Sequence, residues 1–241
     1  MSLMQRALTL IYPDQCILCT DLVERRGALC ARCWKDTPFL TGHGCDRCGA
    51  PLVGVGDGGV DHCDDCIKTA PPWRRGRAVA RYDGNARRIV LALKHGDRLD
   101  LVPTIAGWMA RAGKDLLTER PVIVPVPSHW SRLLKRRFNQ ATEVTRSLAK
   151  LEALPHCPDA LVRTRITAVQ DGKGPEERFQ NIANAITANP KRLDRLGGKK
   201  VCLVDDVMTS GATLSAATNA CYAAGADQVS VLVLARVTKA T

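Results

Sequence analysis

Two groups of residues in this chain could do chemistry: an acid pair followed by small hydroxylated residues, and eight cysteines in paired spacing. The acids are Asp205 and Asp206. They follow Val201-Cys202-Leu203-Val204 and precede Val207-Met208-Thr209-Ser210-Gly211-Ala212-Thr213. The apolar run reads as a short buried strand with the acids where it should end, and a helix-like run begins near Thr213. A strand that turns through small residues into a helix points unpaired amides outward at the positive end of the helix dipole. Such a turn cradles an anion, and small side chains let a phosphate approach the backbone closely. Ionised carboxylates only accept hydrogen bonds, so Asp205 and Asp206 suit hydroxyl donors or a divalent cation. A phosphate on one side and a diol on the other describe a ribose 5-phosphate.

The cysteines form four Cys-x-x-Cys pairs, Cys16/Cys19, Cys30/Cys33, Cys45/Cys48 and Cys63/Cys66. Each pair puts two thiolates on one side of a tight knuckle, and two knuckles complete a tetrahedral sulfur site for zinc. Sequential pairing is favoured: Cys16, Cys19, Cys30 and Cys33 in one site, and Cys45, Cys48, Cys63 and Cys66 in the other. Cross-brace pairing is the alternative. Disulfides compete, but the spacing and a cytoplasmic reading favour metal. His43 and His62 read as bystanders, because four thiolates already fill each site. With no open coordination position the zinc sites are structural, and their ribbon remains available to dock a partner or DNA.

The elements that must position these groups follow from charge and pattern. Residues 1–75 are neutral, with nine basic and nine acidic side chains; residues 76–241 hold 26 and 15, the whole of the +11. A basic half suits polyanionic partners, nucleic acid or phosphates. Four Trp, three Tyr and three Phe make no obvious stacking platform for single strands. No apolar run reaches the roughly 20 residues that span a bilayer, so no membrane insertion is expected. Residues 1–11 have helical apolar spacing interrupted by Arg6 and ended by Pro13, which predicts a cytoplasmic protein without a signal peptide.

Residues 1–70 form an N-terminal helix and double ribbon, 71–77 with Pro71-Pro72-Trp73 a linker, and 78–241 an α/β domain. In that domain strands are expected at 78–82, 122–126, 160–166, 201–204 and 229–233. Helices are expected at 86–95 behind an Asn85 cap, at 101–117, 130–151 and 213–224. Alternating strands and helices imply a parallel sheet flanked by helices. The carboxyl ends of its strands are where ligands gather, which brings in Val126, Pro127 and Ser128. Arg132, Lys135, Arg136 and Arg137 could grip pyrophosphate or line a solvated helix face. Cys157, Cys202 and Cys221 read as inert core thiols.

Residues 201–214 resemble the phosphoribosyl pyrophosphate (PRPP) motif of type I phosphoribosyltransferases. That resemblance assigns Asp205 and Asp206 to the ribose hydroxyls, and Thr209, Ser210, Gly211, Ala212 and Thr213 to the 5-phosphate. Over nearly its full length the chain is similar to the ComF/GntX family of competence-associated, phosphoribosyltransferase-like proteins. The likeness rests on the paired ribbon, Pro-Pro-Trp, Arg81-Tyr82-Asp83-Gly84, Leu93-Lys94-His95-Gly96, Val124-Pro125-Val126-Pro127, Phe138-Asn139-Gln140 and the motif itself. It implies a pyrophosphate loop at residues 125–128 and a closing loop at 170–181. Arg136, Arg137 and Arg178 are then the pyrophosphate candidates, with Mg²⁺ on PRPP. It also implies single-stranded DNA and DNA-uptake proteins as partners. Thr209 stands where 6-oxopurine salvage enzymes carry an aspartate, so efficient hypoxanthine or guanine salvage is not expected. The resemblance leaves two readings open: phosphoribosyl transfer to an unidentified acceptor, or a non-catalytic adaptor for DNA and PRPP.

Overall fold

The apolar run ahead of the acid pair becomes one of the two inner strands of a parallel sheet. The structure, a computed structural model, describes residues 13–54, 56, 59–95, 98–127, 140–164 and 185–238. Their strands are β1 (Arg75–Arg81), β2 (Val122–Pro125), β3 (Leu161–Arg163), β4 (Ile186–Ala188), β5 (Lys200–Met208) and β6 (Gln228–Arg236). The α-helices are α1 (Ala31–Lys35), α2 (Asp64–Lys68), α3 (Gly84–His95), α4 (Val102–Ala112), α5 (Lys114–Leu117), α6 (Gln140–Leu151), α7 (Leu193–Leu196) and α8 (Ala212–Ala223). Four strands make the sheet, in the order β1-β6-β5-β2 with every pairing parallel, and β3 and β4 form a separate antiparallel ribbon.

Both faces of the sheet are covered, which is why β5 and β6 read as continuous apolar runs. On one face Ile89, Val90 and Leu93 of α3, Ile105 and Met109 of α4 and Leu148 of α6 pack on Cys202, Val204 and Leu232. On the other, Ala216, Ala217 and Ala220 of α8 and Leu161 and Ile186 of the small ribbon pack on Val201, Leu203 and Val231. The alanine stripe lets α8 lie close to β5, and that fixes where its N-terminus sits. Burial pushes the Cys202 and Cys221 thiols up to about 12 and raises Cys157, as expected of inert core cysteines.

The cysteine-rich segment lies along the outer edge of β1. Leu40 N–H donates to Val79 O at 2.9 Å, Arg81 N–H to Pro38 O at 2.9 Å and Gly76 N–H to Asp46 O at 2.8 Å. The Asp46 carboxylate accepts from Arg75 (3.1 Å) and Arg77 (2.6 Å), and both guanidinium groups also reach Asp115, each at 2.6 Å.

Several elements differ from the sequence reading. β5 does not end at the acids but runs to Met208, because β6 continues beside it and pairs Val207 with Ala235 and Met208 with Arg236. β1 starts at Arg75 rather than 78, since Arg75, Gly76 and Arg77 pair with Ser230, Val231 and Leu232. Helix α3 begins at Gly84, whose amide is held by the Asp83 carboxylate at 2.7 Å; Asn85 is not the cap and instead donates to Cys33 O at 3.2 Å. The strand expected at 160–166 is shorter and lies outside the parallel sheet, paired with β4, which the sequence reading missed. Ser128, Arg132, Lys135, Arg136, Arg137, Phe138 and Asn139, together with the closing loop and Arg178, lie outside the described residues.

Candidate functional site

Immediately after β5 the chain bends through Thr209 and Ser210, both exposed, and reaches Gly211, the N-cap of α8. Gly211 has φ +81°, a left-handed conformation that glycine adopts without strain, and no side chain caps the helix. Ser215 N–H is the first amide to be bonded back, to Gly211 O at 2.8 Å. The amides of Ala212, Thr213 and Leu214 have no hydrogen-bond partner among the described residues. The loop is therefore an uncapped helix start with exposed hydroxyls at its lip, the arrangement that binds phosphate.

The acids lie just N-terminal to the loop, both half-buried. Asp205 Oδ1 accepts the Asp206 amide at 2.8 Å, and the Asp206 carboxylate pairs with Lys94 of α3 at 2.9 Å. Burial pushes the Asp205 carboxyl up to about 7, and the adjacent Asp206 charge adds to this; Lys94 and Arg163 of β3 oppose it. Such a carboxylate gains from any cation or hydroxyl donor brought to it. Sequence reasoning gave Lys94 and Arg163 no role. A signal existed for Lys94, a charged residue four positions after inward-facing Val90 on the apolar stripe of α3.

Of the loop after β2, Val126 and Pro127 are described. Val126 is buried with its amide donating to Val204 O at 2.9 Å, and proline has no N–H, so neither offers a donor to pyrophosphate. They shape the loop instead.

The cysteines gather as two clusters, Cys16, Cys19, Cys30 and Cys33, then Cys45, Cys48, Cys63 and Cys66, with sulfur atoms within 4.8 Å of one another in each. The clusters are those of the sequential pairing, and none of the eight cysteines is in a disulfide. The contacts Cys19–Cys30, Cys33–Cys19 and Cys48–Cys63 are each 3.6 Å. A tetrahedron with Zn–S bonds of about 2.3 Å has S–S edges of about 3.8 Å, so both clusters fit zinc. His43 stays outside them and pairs with Asp61 at 2.7 Å.

A protein-family model described as a double zinc ribbon domain matches residues 7–67. Competence protein F of Haemophilus influenzae is 26% identical over 228 residues, 92% of this chain and 96% of that protein. DNA utilization protein YhgH of Salmonella typhi is 30% identical over 218 residues, 87% of this chain and 89% of that protein. This chain belongs to the ComF/GntX family. Another ComF relative, Competence protein ComFC of Bacillus subtilis, is 25% identical over 218 residues, 87% of this chain and 79% of that one. The ComF/GntX chain also aligns with a solved structure of the allosteric regulatory enzyme of purine biosynthesis at 18% identity and a TM-score of 0.40, covering 60% of this chain and 30% of that one. Glutamine PRPP amidotransferase from B. subtilis aligns at 18% identity and a TM-score of 0.39, over 59% and 30% of the two chains. Among the described residues of this ComF/GntX protein, no helix is long and apolar enough to cross a membrane.

Proposed function

We propose that this ComF-type protein binds PRPP with Mg²⁺ and transfers its phosphoribosyl group to an acceptor during the handling of incoming DNA in the cytoplasm. One observation carries the reading: a half-buried acid pair and an uncapped helix start flank a short loop at the carboxyl end of a parallel strand. The 5-phosphate would take the amides of Ala212 and Thr213 and the hydroxyls of Thr209, Ser210 and Thr213, while Asp205 and Asp206 take the 2′- and 3′-hydroxyls. In the reaction the C1–O bond breaks, pyrophosphate leaves with the electron pair, and the acceptor forms the new bond at C1 and loses its proton. Mg²⁺ and the cationic side chains of Arg136, Arg137 and Arg178 would stabilise the leaving group, and the Ser128 hydroxyl would donate a hydrogen bond to it. Lys94 would exchange its carboxylate partner for the ligand as the site fills.

Calorimetric titration with PRPP and Mg²⁺, wild type against Asp205→Asn with Asp206→Asn, tests the binding. Heat of binding in the wild type and none in the double variant is expected; a silent wild type refutes it. Pyrophosphate release across a panel of bases and DNA fragments tests the transfer. Thr209 favours a second reading, a PRPP- and single-stranded-DNA-binding adaptor without catalysis, because a threonine at the loop head has no proton to exchange near neutral pH. Binding to single-stranded DNA must then weaken steeply with salt as counterions are released.

A further inference from the structure

The second cysteine knuckle and the candidate phosphate loop share one side chain. Trp73 is buried, and its indole N–H donates to the carbonyl of Arg47 at 2.6 Å. Arg47 lies inside the Cys45-x-x-Cys48 knuckle, so this bond ties the ring to the peptide that holds two sulfur atoms of the second cluster. The far rim of the same ring lies under Gly211: a Cβ built on Gly211 would come within 3.0 Å of Trp73 Cη2. The residue before the loop, Met208, is buried in the same apolar core as Trp73, Cys45, Cys48 and Cys66. The ring itself is held from both sides. Pro71 and Pro72 stiffen the chain ahead of it, and Arg74 N–H donates to Val229 O at 2.8 Å just after it. The knuckle is equally fixed, since a Cβ on Gly76 would meet Arg47 O at 2.4 Å. The first cluster makes no such contact among the described residues; its ties to the sheet domain run to α3 and α4, where Asn85 donates to Cys33 O at 3.2 Å, Arg88 to Leu18 O at 3.1 Å and Thr104 to Gly27 O at 2.7 Å.

We propose that Trp73 is a positioning residue that transmits the folded, metal-loaded state of the Cys45/Cys48/Cys63/Cys66 knuckle to the phosphate loop. With the knuckle intact, the indole sets the height of Gly211 and so the direction of the first free amides of α8. Without the metal, the Arg47 carbonyl loses its fixed place, the ring loses its anchor, and the loop loosens. Loss of metal at the first cluster leaves the loop unchanged. The ligand consequence rests on the PRPP reading above; the coupling itself does not.

The test follows hydrogen exchange at the Ser215 amide and the next turn of α8, the first protected amides after the loop, with the β6 amides as an internal control. Trp73→Leu should raise exchange there about tenfold, and Trp73→Phe, which keeps a ring but not the N–H donor, should give a smaller rise. In both, β6 stays protected. Cys63→Ser should reproduce the Trp73→Leu pattern while Cys19→Ser does not, with zinc per chain measured for each. In calorimetry PRPP affinity should fall about tenfold in Trp73→Leu and partly recover in Trp73→Phe. Exchange within twofold of wild type in both Trp73 variants, or an equal rise in Cys19→Ser, overturns the proposal. If Trp73→Leu also unprotects β6, the Trp73→Phe result decides. A wild type that ignores PRPP defeats the functional reading alone, because exchange needs no ligand.

Discussion

Replacing Asp205 by asparagine should stabilise the ligand-free protein while weakening its candidate diol site. Burial, reinforced by the Asp206 carboxylate, moves the Asp205 carboxyl from its ordinary 3.8 up to about 7. The folded chain therefore keeps a proton that the unfolded chain has already released. Stability falls as pH rises from about 4 to about 7 and stays low above that. The full interval corresponds to at most about 4 kcal/mol above neutrality. About 1 kcal/mol of it develops between pH 6 and pH 8, a window in which thiolate clusters keep their metal. Asparagine carries no charge and can still accept the Asp206 amide that Asp205 Oδ1 now accepts. For a chain of this size 1 kcal/mol moves the melting temperature by about 2–4 °C. The variant should then melt above wild type at pH 8, with the gap narrowing by about 2–4 °C at pH 6. Circular-dichroism melts at the two pH values measure this. A variant that melts below wild type at pH 8, or a gap that does not narrow at pH 6, refutes the reasoning.

Gly211→Ala should cost about 1–2 kcal/mol, since φ +81° strains any side chain and the new methyl meets Trp73; thermal melts report it. Asp46→Ala removes the shared acceptor of Arg75 and Arg77, both largely buried, and should lower stability by about 2–3 kcal/mol in urea titrations. Lys94→Ala leaves Asp206 without its cation, so Mg²⁺ should bind the ligand-free protein more tightly than it binds wild type in calorimetry. Elemental analysis should find two zinc ions per chain, and chelation should remove the cooperative unfolding transition of the ribbon.

What the sequence made legible was local. The Cys-x-x-Cys spacing named the eight ligands and favoured the sequential clusters that the structure forms, and the order of acids, small residues and helix onset located the loop. The apolar runs at 201–204 and 229–233 found the two inner strands, although not their lengths. What it hid was set by distant partners. β5 outruns its apolar stretch because β6 lies beside it, and β4, a three-residue strand, pairs with β3 more than twenty residues earlier in the chain. Asn85 has every local property of a helix cap, yet a carbonyl 52 residues away takes its side chain. Lys94 and Arg163 come to the acids only when α3 and β3 pack on opposite faces of the sheet.

Strand β1 is one of the two edge strands of its sheet, and its outer side is occupied by Pro38, Leu40 and Asp46 of the ribbon. A bare strand edge invites pairing with another molecule, the usual start of aggregation. During synthesis the ribbon leaves the ribosome before β1 does, so a metal-loaded cap already waits for the strand it will shield. Zinc supply thereby bears on solubility as well as on fold: chains made without metal would emerge with that edge exposed and should be lost to precipitation or proteolysis before any ligand could rescue them.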